Sequence, residues 1–169
     1  MPIYYSPLFI VEVAGTLVVA LSLFLDWFAV DFILGTEITG TYLEFLKETV
    51  ESWEWKFDHF MVLAPAIVAF GAVENRVEVL WKPIDGEKEW TDRLDQLFQP
   101  IIGLGVGGYF YWKFQNETPI SLTGVLGNGF YIYLVGNTVI FLGSLLRIQS
   151  SARQRVRLRS EDETDETGA

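Results

Sequence analysis

The sequence predicts an all-α integral membrane protein: a four-helix transmembrane bundle with a short amphipathic helix on its outer side. Half of the 169 residues are hydrophobic and 15% are aromatic. Charged residues are missing from the four blocks 13–25, 60–73, 96–112 and 118–146. A spanning helix needs about 20 mostly apolar residues. The sequence therefore predicts membrane helices at about 8–28, 57–77, 94–114 and 122–146.

The predicted topology places both termini and the loop between the second and third helices on one side. Nine of the twelve basic residues lie on that side, and the other three are Lys47, Lys56 and Lys113. Because basic residues near helix ends stay inside, we expect a multi-pass protein of the cell membrane with cytoplasmic termini. The leader MPIYYSP has no basic residue, unlike a signal peptide. The first helix is therefore expected to stay in the mature protein rather than to be cleaved off.

The segments outside the predicted spans are strongly acidic. The net charge is -10, and the acids are concentrated between the apolar blocks and in the tail SEDETDETGA, a pattern typical of salt-loving archaea. The tail, 147–169, is first basic and then acidic and is expected to be disordered in the cytoplasm. The sequence has no cysteine and only His59 as histidine, which excludes disulfides, thiolate metal sites and multi-histidine sites within one chain.

An amphipathic helix is predicted on the outer side, at about 41–56. Leu43, Leu46 and Val50 recur at helical spacing, and acidic residues occupy the other faces. We expect this helix to lie on the outer leaflet or to cap the bundle, and the alternative is that it binds a partner.

Gly103, Gly105 and Gly108 match the G-x-G-x-x-G fingerprint of dinucleotide sites. That fingerprint needs a βαβ unit and an acidic residue about 20 positions further on. Here Glu117 is too near, and the next acid is Glu161. We therefore expect no dinucleotide and no other cofactor, and we also expect no nucleic-acid partner.

The glycines have a better explanation in helix packing, because small residues let membrane helices approach closely. Gly103 and Gly107 form G-x-x-x-G, and the last helix has three glycines seven residues apart. The two helices are expected to pack against each other or against a second copy, which predicts a homo-oligomer or a membrane-protein partner, besides lipid. The glycines of the last helix are Gly129, Gly136 and Gly143.

Three ionisable residues are predicted at similar depth near the inner side: Glu12, Glu74 and Arg147. Ionisable groups inside a membrane are expensive and usually functional. We favour an ion pair or a small network among them, and a path for protons or cations is the alternative.

Acidic residues and the single histidine also meet at the predicted outer ends of the first two helices. Carboxylates suit hard divalent cations, but such residues beside a helix start are more often caps. A metal site is therefore left open, with Asp26, Asp58 and His59 as its candidates and Asp31 nearby. On the same side, Asn116 begins an Asn-Glu-Thr triplet, an acceptor pattern for glycosylation.

Two stretches resemble known proteins. ALSLFLDWFAVD with the later GTEITG resembles the end of the first helix in small uncharacterised four-helix integral membrane proteins of archaea, including halophilic archaea, and of actinobacteria. GNGFYIYLVGNTVIFLGSLL resembles their last helix. The resemblance implies a four-helix bundle and no known activity. Size, topology and acidity are also similar to small membrane proteins of pleomorphic haloarchaeal viruses.

From these observations we predict a non-enzymatic membrane protein that acts as a scaffold, accessory subunit or envelope component through helix packing. One alternative is an oligomeric conduit for protons, ions or a small solute, with Glu12 and Glu74 along the path. Another is a small structural membrane protein of a haloarchaeal virus. An enzyme would need carboxylates and a metal at the outer cluster near Asp58, and it has the least support.

Overall fold

The computed structural model describes residues 7–31, 37–51, 53, 57–81, 89–117 and 123–167. This part of the chain is mostly helical, as the sequence predicts, and it also contains a small sheet. The helices are α1 Pro7–Ser22, α2 Tyr42–Glu51, α3 Phe57–Trp81, α4 Glu89–Glu117 and α5 Asn128–Thr167, and the strands are β1 Asp26–Asp31, β2 Glu37–Thr41 and β3 Thr123–Leu126.

Two helices are long and apolar enough to cross a membrane by length and composition. These are α3 over His59–Glu78 and α5 over Asn128–Ser150. The apolar α1 is shorter, at 16 residues. Two spanning candidates are therefore present among the described residues, whereas the sequence predicts four.

The first helix ends earlier than the predicted 8–28. The backbone N–H groups of Leu23, Phe24 and Leu25 donate to carbonyls three residues earlier, at 3.4, 3.1 and 3.2 Å. Such bonds tighten the last turn of a helix and end it. The chain then enters β1, where the aromatic pair Trp27 and Phe28 suits an extended backbone.

The three strands form an antiparallel sheet in the order β2-β1-β3. Val30 in the central strand pairs with Ile38 of β2 on one side and with Gly124 of β3 on the other. The sheet thus joins the segment after α1 to the segment before α5. Since β3 occupies part of the predicted span 122–146, α5 starts only at Asn128.

At its other end α5 exceeds the prediction. The tail beyond 146 was predicted to be disordered, but α5 continues to Thr167, for 40 residues in all. From Arg147 to Thr167 the sequence contains neither Gly nor Pro. Those two residues carry the largest helical penalties, so nothing in this stretch interrupts the helix.

The long helices pack around α5. Both α1 and α4 lie along α5, and α3 packs against α4 and α1. At the sheet end of the bundle, Trp27 is fully buried in a group of aromatic rings, and its indole N–H donates to the Ser22 carbonyl at 2.8 Å. The ring centroids of Tyr42 and Tyr133 lie 4.9 and 5.1 Å from that of Trp27. These rings join α2 and β1 to α5.

A side chain from α2 enters the backbone of α3 beside Pro65. The Tyr42 hydroxyl donates to the Val62 carbonyl and accepts from the Ala66 N–H at 3.2 Å. In an uninterrupted helix that N–H and that carbonyl would bond each other. Pro65 removes the N–H group that would bond the Met61 carbonyl, and Tyr42 thus bonds backbone groups in the turn that the proline disturbs.

Candidate functional site: a buried charge cluster

Three charged side chains meet inside the bundle, at the end far from the sheet. Arg147 Nε lies 3.1 Å from Glu12 Oε1, and Arg76 Nη2 lies 3.2 Å from Glu12 Oε2. The side chains are 0% exposed for Glu12, 4% for Arg76 and 9% for Arg147. One carboxylate from α1 is therefore held by guanidinium groups from α3 and α5. We call these three residues the charge cluster.

The local sequence of α5 makes room for the carboxylate. A side chain at Gly143 would place its Cβ 2.8 Å from Glu12 Cγ, which is too close for two carbon atoms. The next residue, Ser144, is fully buried with its hydroxyl beside the Glu12 carboxyl. Arg147 follows Gly143 by four residues and so lies on the same face of the helix. Gly143, Ser144 and Arg147 together form the α5 side of the site.

The fourth long helix contributes an amide. Arg147 Nη2 donates to Oε1 of Gln96 in α4, and both side chains are buried. The cluster and Gln96 therefore connect α1, α3, α4 and α5 at one level. Polar contacts between helices stabilise a membrane bundle modestly, by about 0.5 to 2 kcal/mol each.

The charges in the cluster do not cancel. Two guanidinium groups face one carboxylate, which leaves one excess positive charge on buried side chains. Glu74 and Glu78 are the acidic residues nearest to Arg76 along α3, and both are exposed. No described residue accepts a hydrogen bond from Nε or Nη1 of Arg76. Buried donors without an acceptor are costly.

The structure brings together two of the three ionisable residues that the sequence singles out. Glu12 and Arg147 are paired, while Glu74 is exposed and Arg76 of the same helix reaches the carboxylate instead. Sequence reasoning missed Arg76 because it treated that arginine only as a determinant of topology. Arg76 lies four residues after the buried Ala72 on the inward face of α3, and only the rotation of that helix in the structure shows this.

Both predicted glycine rows pack against helices of the same chain. In α4, Gly103 and Gly107 face Asn137 and Leu134 of α5, in agreement with the prediction that these two helices touch. The row on α5 faces α1 and the turn after it rather than α4. The chain itself thus covers both rows, and they no longer argue for a second copy. The closest atoms belong to Trp27 for Gly129, to Val19 for Gly136 and to Glu12 for Gly143.

The candidate metal residues lie near the sheet end. Asp26 is exposed at the start of β1, and Asp31 is the last residue of that strand. His59 is half-buried with its ring 5.6 Å from that of Trp53, and the side chain of Asp58 lies outside the described residues. Within the described part of the chain, no three Asp, Glu or His residues are grouped to hold a metal ion.

The glycosylation candidate, Asn116, is exposed near the end of α4. Its side-chain N–H group donates to the carbonyl of Trp112 at 2.7 Å. Thr118, the third residue of the triplet, lies outside the described ranges.

The chemistry of the charge cluster is electrostatic. Together with Gln96 it connects four helices at one level, and its guanidinium N–H groups can donate to a further anionic group. Comparison of the chain with protein-family models, with curated proteins and with solved structures found no match.

Proposed function

We propose that this chain is a non-enzymatic integral membrane protein, which crosses the membrane with α1, α3, α4 and α5 and serves as a scaffold or accessory subunit. In this proposal the sheet and α2 form an outer cap, and both chain termini are cytoplasmic. The helix packing centred on the charge cluster keeps the bundle rigid beneath the cap.

The observation that carries the proposal is the apolar outer surface of the four long helices. Large side chains point away from the core on each of them, for example Leu17 at 58% exposure, Phe70 at 71%, Ile102 at 54% and Val135 at 58%. Soluble proteins rarely expose large contiguous apolar patches. Lipid chains are the solvent that such a surface matches.

The short α1 is compatible with a span. Its 16 residues extend about 24 Å at 1.5 Å per residue, less than the hydrocarbon thickness of about 30 Å. Phe24 and Leu25, in the turn after α1, are exposed and continue its apolar surface toward the sheet. The apolar band on this side of the molecule therefore extends beyond the helix.

The position of the charges agrees with a membrane setting. Arg76 lies two residues from the end of the apolar stretch of α3, and Arg147 lies three residues from the end of that of α5. At 1.5 Å per residue, both lie within about 5 Å of the ends of the candidate spans. The excess of basic residues beyond those ends favours the cytoplasm for this side.

The burial of Glu12 favours a scaffold over a conduit. A carboxylate that relays protons or ions has to be reached by water or by the ion, but Glu12 is 0% exposed and contacts two guanidinium groups. Here the charges pair with one another and face the interior of the bundle. The strongly acidic composition supports operation in high salt, as in the halophilic proteins that the sequence resembles.

The orientation is tested with single cysteines, because the natural sequence has none. Gly40→Cys in β2 marks the cap, where a Cβ has free space, and Arg153→Cys marks the exposed start of the α5 extension. A membrane-impermeant maleimide should label Gly40→Cys in intact cells and Arg153→Cys only after permeabilisation. The cysteine-free chain is the control. Labelling of both variants in intact cells would contradict the topology.

The scaffold role is tested separately in liposomes. Reconstituted wild-type protein should carry no more protons or ions than empty vesicles, and the Glu12→Gln variant should behave in the same way. Proton or ion flux through the wild-type protein above that of empty vesicles would support the conduit instead. Copurification from native membranes in high salt should then recover a membrane-protein partner.

A further inference from the structure

We propose that the charge cluster is a binding site for one small inorganic anion of the halide class, held by Arg76. Glu12 neutralises only one of the two guanidinium groups that contact it. The described side chains offer the second buried guanidinium no counter-charge, which is unfavourable in an apolar interior, and a bound monovalent anion would bring the cluster to neutrality.

The hydrogen bonds point to Arg76 rather than Arg147 as the anchor. Arg147 has Glu12 as its ionic partner and also donates to Gln96. Arg76 contacts Glu12 through Nη2 alone, and its Nε and Nη1 have no acceptor among the described residues. The Nε–H and the Nη1–H groups point to different edges of the planar guanidinium, so each is a separate charged donor that can make a strong hydrogen bond to an anion.

The enclosure of these donors selects a small ligand. The Arg76 side chain is only 4% exposed and lies between helices that pack closely. A monatomic ion needs little space, whereas a lipid phosphate brings a glycerol backbone and two chains with it. Phosphate of a lipid headgroup is therefore the less suitable source of negative charge, although it occurs at a similar depth in a bilayer.

The test uses the full chain purified in detergent and free of added lipid. Its melting temperature is measured while chloride replaces gluconate at constant ionic strength, so that general screening stays fixed. Wild type should become more stable by about 5 to 10 °C at a hundredfold excess over Kd. Bromide should replace chloride, and broadening of the chloride NMR line by wild type, reversed by bromide, reports binding directly.

The variants separate a specific site from a surface effect. Arg76→Gln should lose the chloride-dependent rise, whereas the matched control Arg153→Gln, at an exposed arginine of α5, should retain it. Equal melting temperatures of wild type in chloride and gluconate, together with no line broadening, would overturn the proposal. An equal loss of the rise in both variants would also overturn it.

A further experiment distinguishes a lipid headgroup phosphate from a free halide ion as the bound anion. Anionic phospholipid is added to wild type in gluconate, and then chloride is added. Stabilisation by the lipid, with no further effect of chloride, would assign the site to a headgroup phosphate and would overturn the proposal of a halide site. Should Arg76→Gln fail to fold, the NMR competition on wild type still decides the question. None of these measurements depends on how many helices cross the membrane.

Discussion

Gly15 of α1 and Gly136 of α5 meet backbone to backbone. A Cβ on either glycine would lie 3.1 Å from the carbonyl oxygen of the other. This crossing lies between the aromatic group around Trp27 and the charge cluster, so α1 and α5 are in close contact along their length. Small residues at a helix crossing allow this approach. The approach in turn places Glu12 within reach of Arg147.

Gly136→Ala should therefore destabilise the fold. The added Cβ would lie 2.6 Å from Val19 Cγ2 and 3.0 Å from the Val19 backbone nitrogen, so the helices have to separate. We expect a loss of about 1 to 3 kcal/mol, as for overpacking in other cores, measured by denaturant unfolding in detergent.

Gly105→Ala is the matched control for that substitution. Gly105 is exposed on α4, and a Cβ there meets no atom within 4 Å. It should raise stability by about 0.5 to 1 kcal/mol through helix propensity. A change of oligomeric state in Gly136→Ala with unchanged stability would contradict the packing within one chain.

Glu12→Gln should be strongly destabilising. It leaves two buried guanidinium groups without their carboxylate, and removal of one partner from a buried ion pair costs about 3 to 5 kcal/mol. Glu74→Gln, at the exposed acid two residues before Arg76, should change stability by less than about 0.5 kcal/mol. Equal effects of the two substitutions in thermal unfolding would show that the Glu12 ion pairs do not stabilise the bundle.

Tyr42→Phe should cost about 1 to 3 kcal/mol, because it leaves the Val62 carbonyl and the Ala66 N–H without the bridging hydroxyl. Tyr131→Phe, at an exposed tyrosine of α5, is the control and should be close to neutral. A double-mutant cycle with Pro65→Ala tests the mechanism, because a helix without that proline can close its own ladder. We expect a coupling of at least about 0.5 kcal/mol between the two sites. Strict additivity would contradict the link between Tyr42 and the proline interruption.

The same tyrosine predicts a loss of stability in alkaline solution. Burial raises the pKa of the Tyr42 phenol above its ordinary value, because the protein interior solvates the charged phenolate poorly. The folded state therefore keeps this proton at a pH where the unfolded chain releases it. The stabilisation of the folded state by this raised pKa is fully present below about pH 10, and it is lost progressively as the pH rises above that value. Unfolding measured from pH 8 to 11 should show a smaller decline in Tyr42→Phe than in wild type.

Part of this site could be predicted from the sequence. Glu12 and Arg147 stand out because charged residues are rare within apolar blocks. The glycine row of α4 does face α5, whereas the row of α5 faces α1. Arg76 escaped prediction because a basic residue near a helix end also serves as a determinant of topology. The rotation of α3 decides between these roles, and it places Arg76 inward and Glu74 outward.

The sheet was missed for a different reason. The stretch DWFAVD continues the apolar block of α1, and periodicity over so few residues does not separate a helix from a strand. Its pairing partners are β2, which follows closely, and β3, which lies more than ninety residues away in sequence. Such pairing depends on which segments the bundle brings together.

The sequence by itself determined the helical character of the chain and the apolar segments that form it, since both follow from composition and from the spacing of charges. The spacing of glycines also singled out five of those at close helix contacts, but not Gly15. Only the tertiary structure decided which helix each glycine faces, where α1 ends and which arginine pairs with Glu12. Those outcomes depend on helix rotation and on pairings between distant segments, and several arrangements of the same amphipathic pattern satisfy the local rules equally well.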